Sequence, residues 1–444
     1  MYARPLRSPP DPDLMPMPSE SRPYLTTLTP LRGIAALLVV VFHSNLMLMA
    51  FLPPGYTHVV ENGWLWVDFF FMLSGFIMSY VYGKRFAARA GSVEYWRYLG
   101  ARFARVYPLH LVTLVWALAS CVAIVHYATA LDPFFADMFN PRAAPASLLL
   151  LQGLHLFKAA PLNTPSWSLS TEWWVYMIFP FVVPTFSRLN VAGRRAATVL
   201  LIGFYVLLRY WIGPMAGPVY GQPTLNMVQD FGIFRCLAGF FLGMLVYEFY
   251  RSGIARDLFR KSGCFVAAFG GCLLAMHLGA MDLAIVTFFP FILLTAAYNE
   301  AGVKQLLDSH SLQRLGDWSF SIYMVHVPIM LMYVVVQVRE KPDRFADFMT
   351  LVSTPPDYRL GAILCVIVVV LTLLVAALTY RFVELPARNY LNARFATKRN
   401  ALPVAARMLH TGEREREGAA SPYRAHERQI ATHATRQIPA DREP

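Results

Sequence analysis

The chain has 444 residues, of which 56% are hydrophobic and only 15% charged, and its mean hydropathy is +0.43. Soluble domains carry about 25% charged residues, so an ordinary soluble fold is excluded and an all-α polytopic membrane protein is expected. The net charge of +12 is spread in short clusters between apolar runs, as in cytoplasmic loops, and no nucleic-acid partner is expected.

In chain order, residues 1–24 are rich in proline and lack the apolar core of a signal peptide, and read as a disordered cytoplasmic leader. Apolar runs of about 20 residues, the length that crosses a bilayer, lie near 31–51, 64–83, 106–128, 172–189, 196–213, 231–250, 262–280, 281–299, 316–337 and 360–382. The run 146–157 is too short for a full crossing and reads as re-entrant or interfacial. Basic clusters follow the second, fourth, sixth, eighth and tenth runs (Lys84 to Arg105, Arg188 to Arg195, Arg251 to Lys261, Lys304 to Arg314, Arg388 to Arg399). All fall on one side if there are about ten transmembrane helices with both termini in the cytoplasm. Residues 25–395 then form one membrane domain, and 396–444, without hydrophobic periodicity, a disordered cytoplasmic tail. Five cysteines (121, 236, 264, 272 and 365) show no CxxC or ligand spacing, so buried thiols and no metal site are expected.

The first run, LTPLRGIAALLVVVFHSNLMLMAFL, holds Arg32 and His43. Their separation is about three helical turns, so both sit on one face, about 16 Å apart along the axis. Thr29 reads as the N-cap and Pro30 as the first helical residue. Ionisable residues inside a span are expensive and usually functional; a snorkelling Arg and a hydrogen-bonded core His are the structural alternatives. Asp68, near the outer end of the second run, needs a partner, and His43 and Arg235 lie at similar depth. In the loop before the third run, EYWRYLGARFARVYPLHL, Arg102 and Arg105 share a face at the start of a helix. Paired arginines suit a phosphate or pyrophosphate through their planar fork, although positive-inside charge alone also accounts for them.

Around the fourth run, NTPSWSLSTEWWVYMIFPF places Ser168, Ser170 and Glu172 at the outer end. Either serine could cap the helix with Glu172 in its first turn. Trp167, Trp173 and Trp174 suit an interfacial belt or a sugar-binding platform. Gly239 and Gly243 read as helix packing, Ser74-Gly75 as a close helix contact, Tyr323 and His326 as neighbours on one face, and Glu384 as an ion-pair partner for a cytoplasmic arginine.

Taken together, these residues resemble the membrane acyltransferase-3 family, which includes bacterial O-acyltransferases of lipopolysaccharide, exopolysaccharide and nodulation factors. The resemblance covers roughly 25–390 and rests on seven features in order: Arg32 with His43, VDFFFMLSGF, RFARVYP, SWSLSTEWWVY, FRCLAGFFLG, FSIYMVH and VELP. Trp66 stands where the family often has Gly, and Phe320 where it often has Tyr. No extracytoplasmic hydrolase-like domain is expected after the last span. The resemblance implies transfer of an acyl group, usually acetyl, from acyl-CoA to a hydroxyl of a carbohydrate or glycolipid acceptor at the bacterial inner membrane.

It also implies roles. Arg32, Arg102 and Arg105 are expected to hold the CoA phosphates. His43 is the expected general base or covalent acyl carrier, with Glu172 or Asp68 orienting it. Ser170, Trp167, Arg235, Tyr323 and His326 are candidate acceptor contacts. The alternative is a proton-coupled transporter relaying protons through His43, Asp68 and His326. The lack of visible internal repeats and the doubled arginine site count against it.

Overall fold

A computed structural model describes residues 25–88, 91–216, 223–300, 302–347 and 355–395. The expected leader and tail lie outside the described residues. Among those described, all regular structure is helical, with no strand. That is what a lipid-embedded backbone requires, because helices satisfy their own N–H and C=O groups.

The principal helices are α1 (Leu28–Met47), α2 (Trp66–Ala88), α3 (Ser92–Tyr127), α4 (Ser166–Ser187), α5 (Val191–Leu207), α6 (Gly232–Ser252), α7 (Ser262–His277), α8 (Phe288–Tyr298), α9 (Ser319–Glu340) and α10 (Tyr358–Thr379). A π-helical turn, Tyr380–Glu384, joins α10 to α11 (Leu385–Phe395). Seven helical stretches among the described residues are long and apolar enough to cross a membrane: α1, α2, α3, α5, α6, α9 and α10 with its continuation. Helix α4 has the length but carries Ser, Thr, Glu and Trp through its first half. The adjoining runs 262–280 and 281–299 fold as shorter apolar helices, α7 and α8, the latter preceded by the turn Asp282–Val286.

Two boundaries differ from expectation. Helix α1 starts at Leu28, so Thr29 lies inside it rather than at its cap. Pro30 still falls in the first turn, where a missing N–H removes no intrahelical bond. The segment before α1 is held by tertiary contacts instead: Thr27 Oγ1 donates to the Ala296 carbonyl (2.6 Å), and Gln313 Nε2 donates to that of Thr26 (3.0 Å). Helix α3 runs 36 residues and takes in the stretch expected as a loop. Arg102 and Arg105 are therefore fixed on a helix rather than at its frayed start.

Helices α2 and α6 meet at glycine. A Cβ on Gly75 would strike the Phe240 backbone, and one on Gly243 the Met72 backbone. Small residues permit this approach where helix association in lipid rests on van der Waals contact.

The run 146–157 forms no crossing. A short helix, Ala144–Leu148, gives way to irregular backbone up to α4. Its polar groups are met by α4: Ser170 Oγ (2.6 Å) and Trp174 Nε1 (2.9 Å) donate to the Leu150 carbonyl, and Gln152 Nε2 donates to the Ser166 carbonyl (3.0 Å). Non-helical backbone is tolerated at such a place because protein covers it.

Candidate active site

Helices α1, α2, α3, α4 and α9 bring the ionisable side chains together. Arg32 and His43 share one face of α1, both half-buried. Arg32 has no hydrogen-bonded or ion-paired partner among the described residues, and lies within electrostatic reach of Arg105 and Glu172. Arg102, also half-buried, donates from Nη2 to the Tyr82 hydroxyl (3.3 Å) and sits over the rings of Tyr82 (5.5 Å) and Tyr176 (6.0 Å). Its Nε is buried and meets no acceptor. A buried donor without an acceptor costs about 1–3 kcal/mol, so this group fits an anionic ligand.

Arg105 is different. It is ion-paired with Glu384, which is 1% exposed and also accepts from Ser321 Oγ (2.8 Å), with Arg388 at 3.8 Å. The guanidinium lies over Phe320 (5.4 Å), the position where the family often has Tyr. Glu384 is thus the ion-pair partner expected from sequence. Its partner, Arg105, is not available as a second unneutralised cation beside Arg102.

Glu172 lies within α4, beyond its first turn, and caps nothing. Its Oε1 accepts from Ser74 Oγ and from Tyr176 OH (2.6 Å). Ser168 and Ser170 are likewise inside the helix. Ser170 is fully buried between the Leu150 carbonyl and the Gly153 N–H (3.1 Å), so it braces the preceding segment rather than contacting acceptor.

His43 meets neither expected carboxylate. Its Nδ1 lies 3.0 Å from Nε2 of His326 on α9. Both Asp68 oxygens are taken by Arg235, at 2.9 and 2.6 Å, and this pair is buried. Arg235 also donates to the carbonyls of Met227 and Trp64 (3.1 Å each) and stacks on Trp64 and Trp167. Asp68, Arg235 and Trp167 therefore form a structural knot between α2, α4 and α6 rather than an imidazole-orienting group or an acceptor surface. Tyr323, one turn from His326, bonds Ser168 (2.7 Å) and donates to the Pro165 carbonyl (3.2 Å).

The structure thus groups Arg32, Arg102 and Glu172 at one level, and His43, His326 and Tyr323 at another. Sequence reasoning missed Ser74, Tyr82 and Tyr176 as site residues. Tyr176 carried a signal, four residues after Glu172 on the same helix face.

The acyltransferase-domain family model matches residues 28–381, which includes every one of these groups except Glu384 and Arg388. The chain belongs to this acyltransferase family. Among its relatives, the acyltransferase MdmB of Streptomyces mycarofaciens is 30% identical over 326 residues, 69% of this chain and 79% of the relative. Protein 2 in the picA locus of Rhizobium radiobacter is 30% identical over 184 residues, 39% of this chain and 85% of the relative. The peptidoglycan O-acetyltransferase OatA of Listeria monocytogenes is 22% identical over 402 residues, 83% of this chain but 56% of the relative. No solved structure matches the chain.

For an acyltransferase, the site offers two cations without carboxylate partners, Arg32 and Arg102, and an imidazole about 16 Å along α1 from the first. Arginine presents a fixed fork of donors to phosphate oxygens, and an imidazole can accept a proton near neutral pH. The transporter reading gives way to acyl transfer on the family match.

Proposed function

We propose that this protein is a multi-pass O-acyltransferase of the bacterial inner membrane. It transfers an acyl group, acetyl in the first instance, from acyl-CoA to a hydroxyl of a carbohydrate or glycoconjugate. The observation that carries the reading is the pairing on α1 of an unpartnered cation with an imidazole, flanked by the unsatisfied donor of Arg102. The similarity to OatA, a peptidoglycan O-acetyltransferase, supports a carbohydrate acceptor.

In this mechanism Arg32 and Arg102 hold the donor phosphates, and Arg105 keeps α3 in register through Glu384. His43 takes the proton of the acceptor hydroxyl as its oxygen attacks the thioester carbon. The C–S bond breaks, an ester C–O bond forms, and His43 returns the proton to the thiolate. Ten crossings with both termini in the cytoplasm put Arg32 and Arg102 on the side where acyl-CoA is made.

Native membrane vesicles supplied with radiolabelled acetyl-CoA test this, with transfer read as label in the carbohydrate fraction. His43→Ala should lower the rate by about 10²- to 10⁴-fold, the usual contribution of a general base. Wild-type transfer by both His43→Ala and Arg102→Ala sinks the mechanism.

A further inference from the structure

We propose that His326 is a positioning residue that fixes the tautomer of His43 and leaves His43 Nε2 as the proton-accepting atom. The inference rests on the acyl-transfer reading above. His326 is fully buried on α9, and its Nδ1 lies 3.3 Å from the Ile322 carbonyl one turn earlier. A carbonyl oxygen only accepts, so this nitrogen carries the ring proton. A neutral imidazole has one N–H and one lone pair. His326 therefore presents a lone pair at Nε2.

That lone pair faces His43 Nδ1 at 3.0 Å. His43 Nδ1 must then be the donor, since two facing lone pairs would repel and leave a buried acceptor unpaired. That contact places the His43 proton on Nδ1. The lone pair a base needs is left on Nε2, at the opposite edge of a ring that, unlike His326, is only half-buried.

No carboxylate hydrogen-bonds either ring among the described residues. The remaining ring contacts are Phe42 at 4.9 Å from His43 and Tyr323 at 5.9 Å from His326. The orienting role that a carboxylate often fills is thus taken by a neutral histidine, itself oriented by backbone. When His43 Nε2 takes the hydroxyl proton, the resulting imidazolium keeps its Nδ1–H bond to His326, and the positive charge is stabilised by that acceptor. Passing the Nε2 proton to the departing thiolate restores the starting tautomer.

The test uses the full-length protein labelled with ¹⁵N-histidine in lipid nanodiscs, with His43→Ala assigning the His43 signals. Solid-state spectra should show His43 protonated at Nδ1 in the wild type. His326→Leu should lose that preference and lower kcat by about 10²-fold with the KM for acetyl-CoA unchanged, as for other residues that hold a base in its tautomer. His326→Gln places an amide oxygen near the lost Nε2 and should recover most of the rate, an outcome that restored packing alone would not give. A wild-type spectrum with the proton on His43 Nε2 overturns the proposal, and so does wild-type kcat in His326→Leu. The spectrum decides even where the His326 variants fail to fold. Wild-type transfer by His43→Ala instead removes the acyl-transfer reading itself, and is thereby told apart.

Discussion

Two arginines one turn apart on α3 have opposite surroundings. Arg102 keeps an unsatisfied Nε, whereas Arg105 is neutralised by the buried Glu384. A charged hydrogen bond contributes about 1.5–3 kcal/mol, so Arg102→Ala should raise the KM for acetyl-CoA by about tenfold to a hundredfold and leave thermal stability in detergent near that of wild type. Arg105→Ala leaves the buried Glu384 carboxylate with only the more distant Arg388, at 3.8 Å, as counter-charge, at a cost of up to about 3 kcal/mol, and should lower the melting temperature. Replacing both partners, as Arg105→Met with Glu384→Leu, should restore part of that loss. A stable Arg105→Ala variant with weakened donor binding would reassign Arg105 to the donor site. The same contrast applies to Asp68 and Arg235, whose mutual pair makes Asp68→Ala a stability lesion: Arg235 is left 1% exposed without a counter-charge.

At the scale of elements, the seam between α2 and α6 is set by Gly75 and Gly243. Gly243→Leu should force these helices apart and lower both the yield and the melting temperature of purified protein. The same substitution at Gly203, whose Cβ direction is open, should have little effect. If the two behave alike, close approach is not what the glycines provide. Most helices were legible from hydropathy, because a span of apolar residues has few alternatives in lipid. The helix starts were not. Thr29 looked like a cap, yet α1 begins before it because Thr27 and Thr26 are satisfied by distant partners at Ala296 and Gln313. Glu172 and Ser170 also looked like capping residues, yet α4 begins at Ser166, before both. Pairings across helices, such as His43 with His326, are 283 positions apart in sequence. No local pattern encodes them, although Arg32, His43, Arg102 and Glu172 were each identifiable as costly polar groups in apolar surroundings. Asp68 was correctly read as needing a partner at its depth, and Arg235 is that partner.

For the whole molecule, the ten-crossing arrangement proposed above makes a sided prediction. Lys158 lies in the exposed part of the segment before α4, and Arg256 in the exposed connection between α6 and α7. In a background lacking the native cysteines, Lys158→Cys should react with a membrane-impermeant maleimide in intact cells. Arg256→Cys should react only after the inner membrane is opened. The reverse pattern, or labelling of both from outside, would invert or break the topology and separate Arg32 and Arg102 from the cytoplasmic donor.

The bond between Arg105 and Glu384 also bears on synthesis. Arg105 is synthesised early, with the third helix, while its counter-charge is translated only with the π-helical turn after α10. Through most of translation the nascent chain therefore holds this cation without its carboxylate, and the ion pair closes only once the final segment arrives.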